Sequence, residues 1–486
     1  MFRKWKKFLL VCLFFVCAGL VFLSLSSVLT EKEAINEMIL QDYKDSLEEP
    51  VDVYVLGSSH VRSVSGARML KEHGIRLYSV GTAGQPWMAT AYLADEILKK
   101  NKPDLLVLNT SSLFVESDAG FLHLVFDEEK DFIKRARFIL NNLGSLNENE
   151  KIAPYDIAGL VFPLLFYHHR WNEVTADDFY GPATERVGYY GAPVSFVRTP
   201  YSRSDFVLNG RVSNNTVIYG HEVNFLYDII AKCRDKGVEI LLMQTPSARW
   251  NQTKHDIAQK IAQENDLAFL DFNDPAVFDQ CGLDAETDFH DNNHLNIYGS
   301  IKLTDMLGEF IVEHYDVSTE DLTARDSDAL GKFEMTMNTA VLRESQDPDE
   351  IFGELAQDGC VVLVQMNGES YGNLKETYLS WLTPYGLDTG AIDDDALNFL
   401  CVLTDGKVVY SESSSESISY KDKFPDGRPF KIYSDLNRNA DPVMKIDDER
   451  LKFSGHGLNI LAYDPLNGKI IRTFTMIKSD GNWLML

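Results

Sequence analysis

What the chain lacks narrows its chemistry first. Its 486 residues include 46 lysines and arginines against 73 aspartates and glutamates, a formal net charge of −27. No basic run offsets this beyond Arg3, Lys4, Lys6 and Lys7 at the N-terminus. A nucleic-acid backbone would be repelled by such a chain, which argues against nucleic acid as a partner. The six cysteines do not make a scaffold either. Cys12 and Cys17 sit in an apolar run, while Cys233, Cys281, Cys360 and Cys401 are scattered with no C-x-x-C spacing. Each reads as a small buried hydrophobe rather than a ligand or nucleophile. A Cys360–Cys401 disulfide stays open. Internal repeats and low-complexity tracts are missing as well.

What is present begins with "MFRKWKKFLLVCLFFVCAGLVFLSLSSVLT". The basic cluster precedes an uncharged run from Phe8 to Leu29, long enough to cross the hydrocarbon core as a helix. Positive charge stays on the cytoplasmic side, so the sequence predicts a single-pass protein of the cell membrane with its bulk extracytoplasmic. A cleaved signal peptide is the rival reading. It would have a shorter apolar region and a better cleavage site than "SLSS", and neither Cys12 nor Cys17 follows a lipobox. The uncleaved anchor is the reading adopted.

With 45% hydrophobic residues the chain can bury two or three cores. After an acidic stalk over 31–49, strands and helices alternate. "VDVYVLG", "IRLYSVG", "PDLLVLNTS", "VEILLMQTP" and "LAFLDFN" read as strands; "SVSGARMLKEHG", "WMATAYLADEILKKN", "NFLYDIIAKCRDKG" and "KHDIAQKIAQEN" read as helices. Short apolar strands separated by such helices predict an α/β domain over 50–317, its parallel sheet covered on both faces. Residues 118–220, rich in aromatics and proline, interrupt the rhythm as an insertion. The polar stretch 318–344 reads as a linker. Residues 345–486 read as a β-rich domain with hairpin signals at Asp405-Gly406 and Asn467-Gly468.

The first strand ends in Gly57-Ser58-Ser59-His60. In a parallel α/β sheet, ligands gather at the carboxyl ends of the strands, where this turn would lie. For an isolated Gly-Ser-Ser, capping of the next helix is the simpler explanation. Far downstream, "DFHDNNHLNIYG" places Asp291 and His294 just before a helix that Asn296 can cap. Histidine there can take the proton of a serine hydroxyl from another loop, and aspartate can hold the imidazole in the required tautomer. A polar capping loop is the bland alternative. A metal site built from Asp288, His290, Asp291 and His294 is a third, less regular than divalent sites usually are.

The strand ending in "GSSH", the "VGTAGQP" loop and "DNNHLN" before the last helix together resemble the SGNH/GDSL hydrolase superfamily. The layout is similar to that of its membrane-anchored members in D-alanyl transfer and alginate O-acetylation. "FYHHRWNEVTADDF" in the insertion is also similar to Gram-positive membrane-anchored SGNH proteins encoded with membrane-bound O-acyltransferases. The resemblance implies a three-layer α/β/α fold, with Ser59 as nucleophile, His294 as base and Asp291 as its orienting partner. It implies an oxyanion hole from the N–H groups of Ser59 and Gly84, with Asn109 as a further donor. Asn109 falls a few residues early for that role, and Ser111 or Ser112 can hold the place instead. His168, Arg170 and Trp171 of the insertion are expected to touch substrate, with packing of the insertion as the alternative. Neither a cofactor nor a metal is implied.

"KIYSD" and "GHGLNILAYDPLNGKII" resemble the ILEI/PANDER-like domain, a β-sandwich that binds carbohydrate in some extracellular proteins; a spacer is the alternative. No catalytic set is visible there, and the carboxylates of "AIDDDALN" and "KIDDERLK" read as solvated turns. The expected activity is therefore that of a serine O-acyltransferase or esterase modifying a cell-surface polysaccharide, foremost by O-acetyl chemistry. Transfer would need a membrane-bound O-acyltransferase as acyl donor; hydrolysis would not. The competing expectation is a non-catalytic glycan-binding or assembly protein with an inactive core.

Overall fold

A computed structural model describes residues 2–180, 195, 197–208, 210, 212, 216–318, 323–345, 351–353, 360–367, 380–392, 398–435, 443–451, 453, 457–465, 468–479 and 482–485. The chain divides into two units, 1–332 and 333–486.

In the first unit, helix α1 (Phe2–Leu29) contains the 25-residue stretch Trp5–Leu29, long and apolar enough to cross a membrane. Helix α2 (Ala34–Ser46) follows. Five strands then form one parallel sheet: β1 (Val53–Ser58), β2 (Leu77–Thr82), β3 (Leu105–Asn109), β4 (Glu239–Gln244) and β5 (Ala268–Asp271). Their order is β2-β1-β3-β4-β5. All four pairings are parallel, so every strand ends at the same edge.

Burial on both faces explains why these strands read as continuous apolar runs. Val53, Val55, Leu105, Val107, Leu241 and Met243 face one core with Met69 of α3 (Gly66–His73) and Leu303 and Leu307 of α15 (Ile297–His314). Two further crossover helices, α4 (Trp87–Lys100) and α12 (Gly220–Lys236), pack on each other. Local signals set the helix ends. The Ser65 hydroxyl accepts from the Arg68 N–H to cap α3, and Gly74 closes it at φ 69°. Gly237 ends α12 at φ 66°. Helices α13 (Gln252–Glu264) and α14 (Pro275–Gln280) flank β5.

Among its described residues the insertion carries seven short helices: α5 (Ala119–Phe126), α6 (Phe132–Asn141), α7 (Leu143–Glu148), α8 (Pro154–Val161), α9 (Pro163–Tyr167), α10 (Ala176–Tyr180) and α11 (Arg203–Phe206). Where the sequence reads as a linker, helix α16 (Ala324–Glu344) forms. Its polar composition hides this, but Asp326 near its start makes a buried ion pair with Arg76 at 3.2 Å.

The second unit holds two antiparallel sheets. The larger contains β6 (Val361–Asn367), β7 (Asn398–Thr404), β8 (Lys407–Ser414), β13 (Leu458–Asp464), β14 (Lys469–Ser479) and β15 (Asn482–Met485). The smaller contains β9 (Ile418–Lys423), β10 (Pro429–Ser434), β11 (Val443–Ile446) and β12 (Glu449–Leu451). Leu363, Leu400 and Leu461 of the larger meet Phe430, Ile432 and Met444 of the smaller in one core. Asp405 and Gly406 take φ 49° and 65°, the left-handed pair that a two-residue hairpin needs. Asn467 and Asp393 to Asp395 lie outside the described residues.

All six cysteines are free. Cys401 pairs across the ladder with Val364, four residues from Cys360, which puts the two thiols beyond disulfide reach. Burial pushes the thiols of Cys233, Cys281, Cys360 and Cys401 up to about 12, as inert core side chains require.

Candidate active site

The site lies where β1 ends, between β2 and β3, the point at which the strand order reverses. Directly after the strand the chain tightens into a 3₁₀ turn, Ser59–Ser63, with Ser59 as its first residue. Two paired glycines make room for it, Gly57 on β1 beside Gly81 on β2. A Cβ on Gly81 would meet the Ser58 carbonyl and a Val61 methyl at 2.5 Å; one on Gly57 would meet Asn109 Cβ at 2.7 Å. A side chain at either position would force a shift in the turn that carries Ser59 or in its neighbour Asn109.

His294 arrives from the loop before α15. A short bridge between Phe289 and Leu295 pinches this loop, and Asn296 caps α15 by accepting from the N–H groups of Tyr298 and Gly299. Within the loop, Asp291 Oδ1 accepts from the backbone N–H of Asn293 at 2.7 Å and of His294 at 2.9 Å. Those bonds aim the carboxylate at its own neighbour. His294 Nδ1 lies 2.9 Å from Asp291 Oδ2, and His294 Nε2 lies 2.8 Å from Ser59 Oγ. Burial alone would raise the Asp291 pKa, but the hydrogen bonds from His294 and Asn293 outweigh it and hold the carboxyl below its ordinary value. Asp291 thus stays an anion that accepts Nδ1–H, leaving the Nε2 lone pair to the serine hydroxyl.

Ser58 is turned elsewhere. Its Oγ lies 2.8 Å from His60 Nδ1 and 3.1 Å from Ser111 Oγ, and the residue is only 4% exposed. His60 has no role predicted from the sequence, although it stands in the same motif. Its ring stacks on His294 with centroids 5.1 Å apart and planes 20° from parallel. Burial, reinforced by neighbouring His294, pushes the His60 pKa down to about 3. A neutral ring therefore braces the imidazole of His294. Contacts of this kind arise only in packing, and no spacing in the sequence announces them.

Ser59, His60, Arg62, Ala83, Asp291 and His294 all line one cleft of about 390 Å³, with Ile35 of α2 on its wall. Gly84 takes φ +53° directly after Ala83, a left-handed conformation that favours glycine. Ala83 and not Gly84 contributes to the cleft wall. Asn109 is buried beside β4, its Nδ2 turned to Thr245 Oγ1 at 3.4 Å and its Oδ1 taken by Ser111. It does not line the cleft.

The insertion residues lie away from the serine. His168, Arg170 and Trp171 sit on a 3₁₀ turn that packs against α1, and none of them lines the cleft. Arg170 donates to the Leu29 carbonyl at 2.8 Å and pairs with Asp178 at 3.0 Å, so its charge is already used. His168 Nδ1 lies 2.8 Å from the Leu165 carbonyl, and Trp171 is 74% exposed. The alternative metal set does not converge either: Asp288 pairs with Lys302 at 2.7 Å, and His290 Nδ1 lies 2.8 Å from Ser195 Oγ.

In comparisons with known proteins, no family model matches the chain and no curated protein matches it.

Proposed function

We propose that this protein is a membrane-anchored serine O-acyltransferase or esterase of the SGNH type, working outside the cytoplasm on acyl groups, foremost acetyl, of a cell-surface polysaccharide. The observation that carries the proposal is the aligned series Ser59 Oγ, His294 Nε2, His294 Nδ1 and Asp291 carboxylate, with contacts of 2.8 and 2.9 Å. Its place at the carboxyl edge of a parallel sheet supports it further.

The chemistry follows from the geometry. Ser59 Oγ attacks the acyl carbonyl carbon while His294 Nε2 takes its proton. Asp291 stabilises the imidazolium that forms. The backbone N–H of Ser59, first residue of the 3₁₀ turn on the cleft wall, is the proposed donor to the tetrahedral oxyanion. Collapse of that intermediate breaks the bond to the leaving oxygen, which takes the proton back from His294 and leaves acyl-Ser59. A sugar hydroxyl, for transfer, or water, for hydrolysis, then resolves the ester by the same steps. The cleft wall supports delivery of the acyl group at a membrane. Ile35 is only six residues beyond Leu29, the end of α1, and six residues span at most about 20 Å.

The test is acyl-group analysis of surface polysaccharides from cells lacking the protein, complemented with wild type or Ser59→Ala. Wild type should restore the acyl pattern and Ser59→Ala should not. Full restoration by Ser59→Ala would replace this proposal with a non-catalytic assembly role.

A further inference from the structure

The lysines of the second unit are scattered through its sequence, but the register of the smaller sheet gathers them. Lys421 of β9 stands directly opposite Lys431 of β10. Lys431 stands opposite Lys445 of β11, and Lys445 opposite Arg450 of β12. Four basic side chains thus form one row across four adjacent strands. Alternation puts them on the outer face, because Phe430, Ile432, Met444 and Ile446 between them belong to the core.

Folding gives no reason for such a row. Like charges directly opposite each other on a sheet are destabilising, and here three successive pairs are alike. Among the described residues, Lys421, Lys431 and Lys445 have no carboxylate ion-pair partner. The nearby Asp422 takes the Tyr420 hydroxyl at 2.8 Å. Lys431 Nζ instead lies over the Tyr433 ring, 5.4 Å from its centroid. Lys421, Lys431 and Lys445, joined by Lys423, line a groove of about 620 Å³ in which Asp422 and Asp448 are the two carboxylates. A local cationic row in a chain of net charge −27 is a feature that a ligand of opposite sign would explain.

We infer that this face binds a linear anionic polysaccharide, one carrying carboxylates along its length. The row is spaced by the separation of neighbouring strands, about 4.8 Å, so it presents positive charge at the scale of successive sugars rather than as one point. Lysine suits such a ligand, because a flexible, hydrated point charge pairs with carboxylates of varied geometry, and Tyr433 offers a flat apolar surface beside them. The inference deepens the proposed function and rests on it for the polysaccharide class. It gives the polymer its charge.

The test uses the full chain in detergent micelles, with fluorescently labelled polygalacturonate as the probe and a neutral glucan of similar length as the control. Polygalacturonate should bind, and its affinity should fall with added salt. Lys431→Gln with Lys445→Gln should weaken binding about tenfold or more and flatten the salt dependence. Lys260→Gln on α13 should leave both unchanged. The double variant should melt no lower than wild type, since it removes repulsion. Equal binding of the glucan, or unchanged affinity in the double variant, would overturn the inference. So would tighter binding of a single-stranded oligonucleotide of matched charge. Labelling of Ser59 by a serine-directed phosphonate on the same preparation separates the two claims: failed polymer binding with intact labelling refutes only this one.

Discussion

Among the described residues the first unit holds three Asp–His pairs, and two of them, one in the cleft and one in the insertion, share little beyond the contact itself. In the cleft, His294 and Asp291 come from a loop at the sheet edge, and the free ring nitrogen meets Ser59 Oγ. In the insertion, His123 of α5 and Asp127 stand one helical turn apart, with Nδ1 3.0 Å from Oδ2. There His123 is fully buried, its ring 4.0 Å from that of Phe166, and Nε2 has no hydrogen-bond partner among the described residues. The first pair has a serine hydroxyl in hydrogen-bond reach and an open cleft beside it. The second has neither. A carboxylate behind an imidazole does not make a base; a hydroxyl delivered by a different element does, and a parallel sheet delivers it because its strands all end at one edge.

Breaking the cleft pair should give the largest effect. His294→Ala should cost roughly 10²–10⁴-fold or more in hydrolysis of an aryl acetate, by loss of proton transfer. Asp291→Asn should cost about 10⁴-fold with the fold intact, and the double variant should be no slower than the worse single one. Equivalent surgery on the insertion should spare chemistry. Asp127→Asn should keep turnover near wild type while lowering stability by about 1–3 kcal/mol, because it disturbs a buried hydrogen-bonded group. Comparable loss of turnover in Asp127→Asn would erase the distinction.

A smaller effect tests the neutral ring behind His294. His60 has a folded pKa of about 3, below its unfolded value near 6.5, so the unfolded chain takes up the proton first. Its contribution to stability is complete above about pH 6.5 and is lost as pH falls toward 3, with a slope of at most about 1.4 kcal/mol per pH unit. His60→Asn should flatten urea-measured stability over that window. An unchanged slope would mean that the ring is not buried neutral.

Much of this was legible in the sequence, for identifiable reasons. The strands of the parallel sheet announce themselves because burial on both faces demands unbroken apolar runs, as in "DLLVLN". Ser59, Asp291 and His294 were legible because each lies within a few residues of a strand end or helix start, where polar residues need a reason. Side chains that depend on remote packing were not. Arg170 and Trp171 suggested substrate contacts, yet they stand on a turn that packs against α1, and nothing local tells a residue which helix will pack on it. His60 gains its role only from the ring stacked on it. Lys421, Lys431, Lys445 and Arg450 follow no period, and only strand register makes them a row.

The central claim is that Ser59 is the activated nucleophile. The most direct measurement is phosphonate labelling of the full chain, with the modified residue located by mass spectrometry. An activated Ser59 predicts one adduct on that residue, absent from Ser59→Ala and strongly reduced in His294→Ala. An adduct on Ser58, or labelling undiminished in His294→Ala, would contradict it.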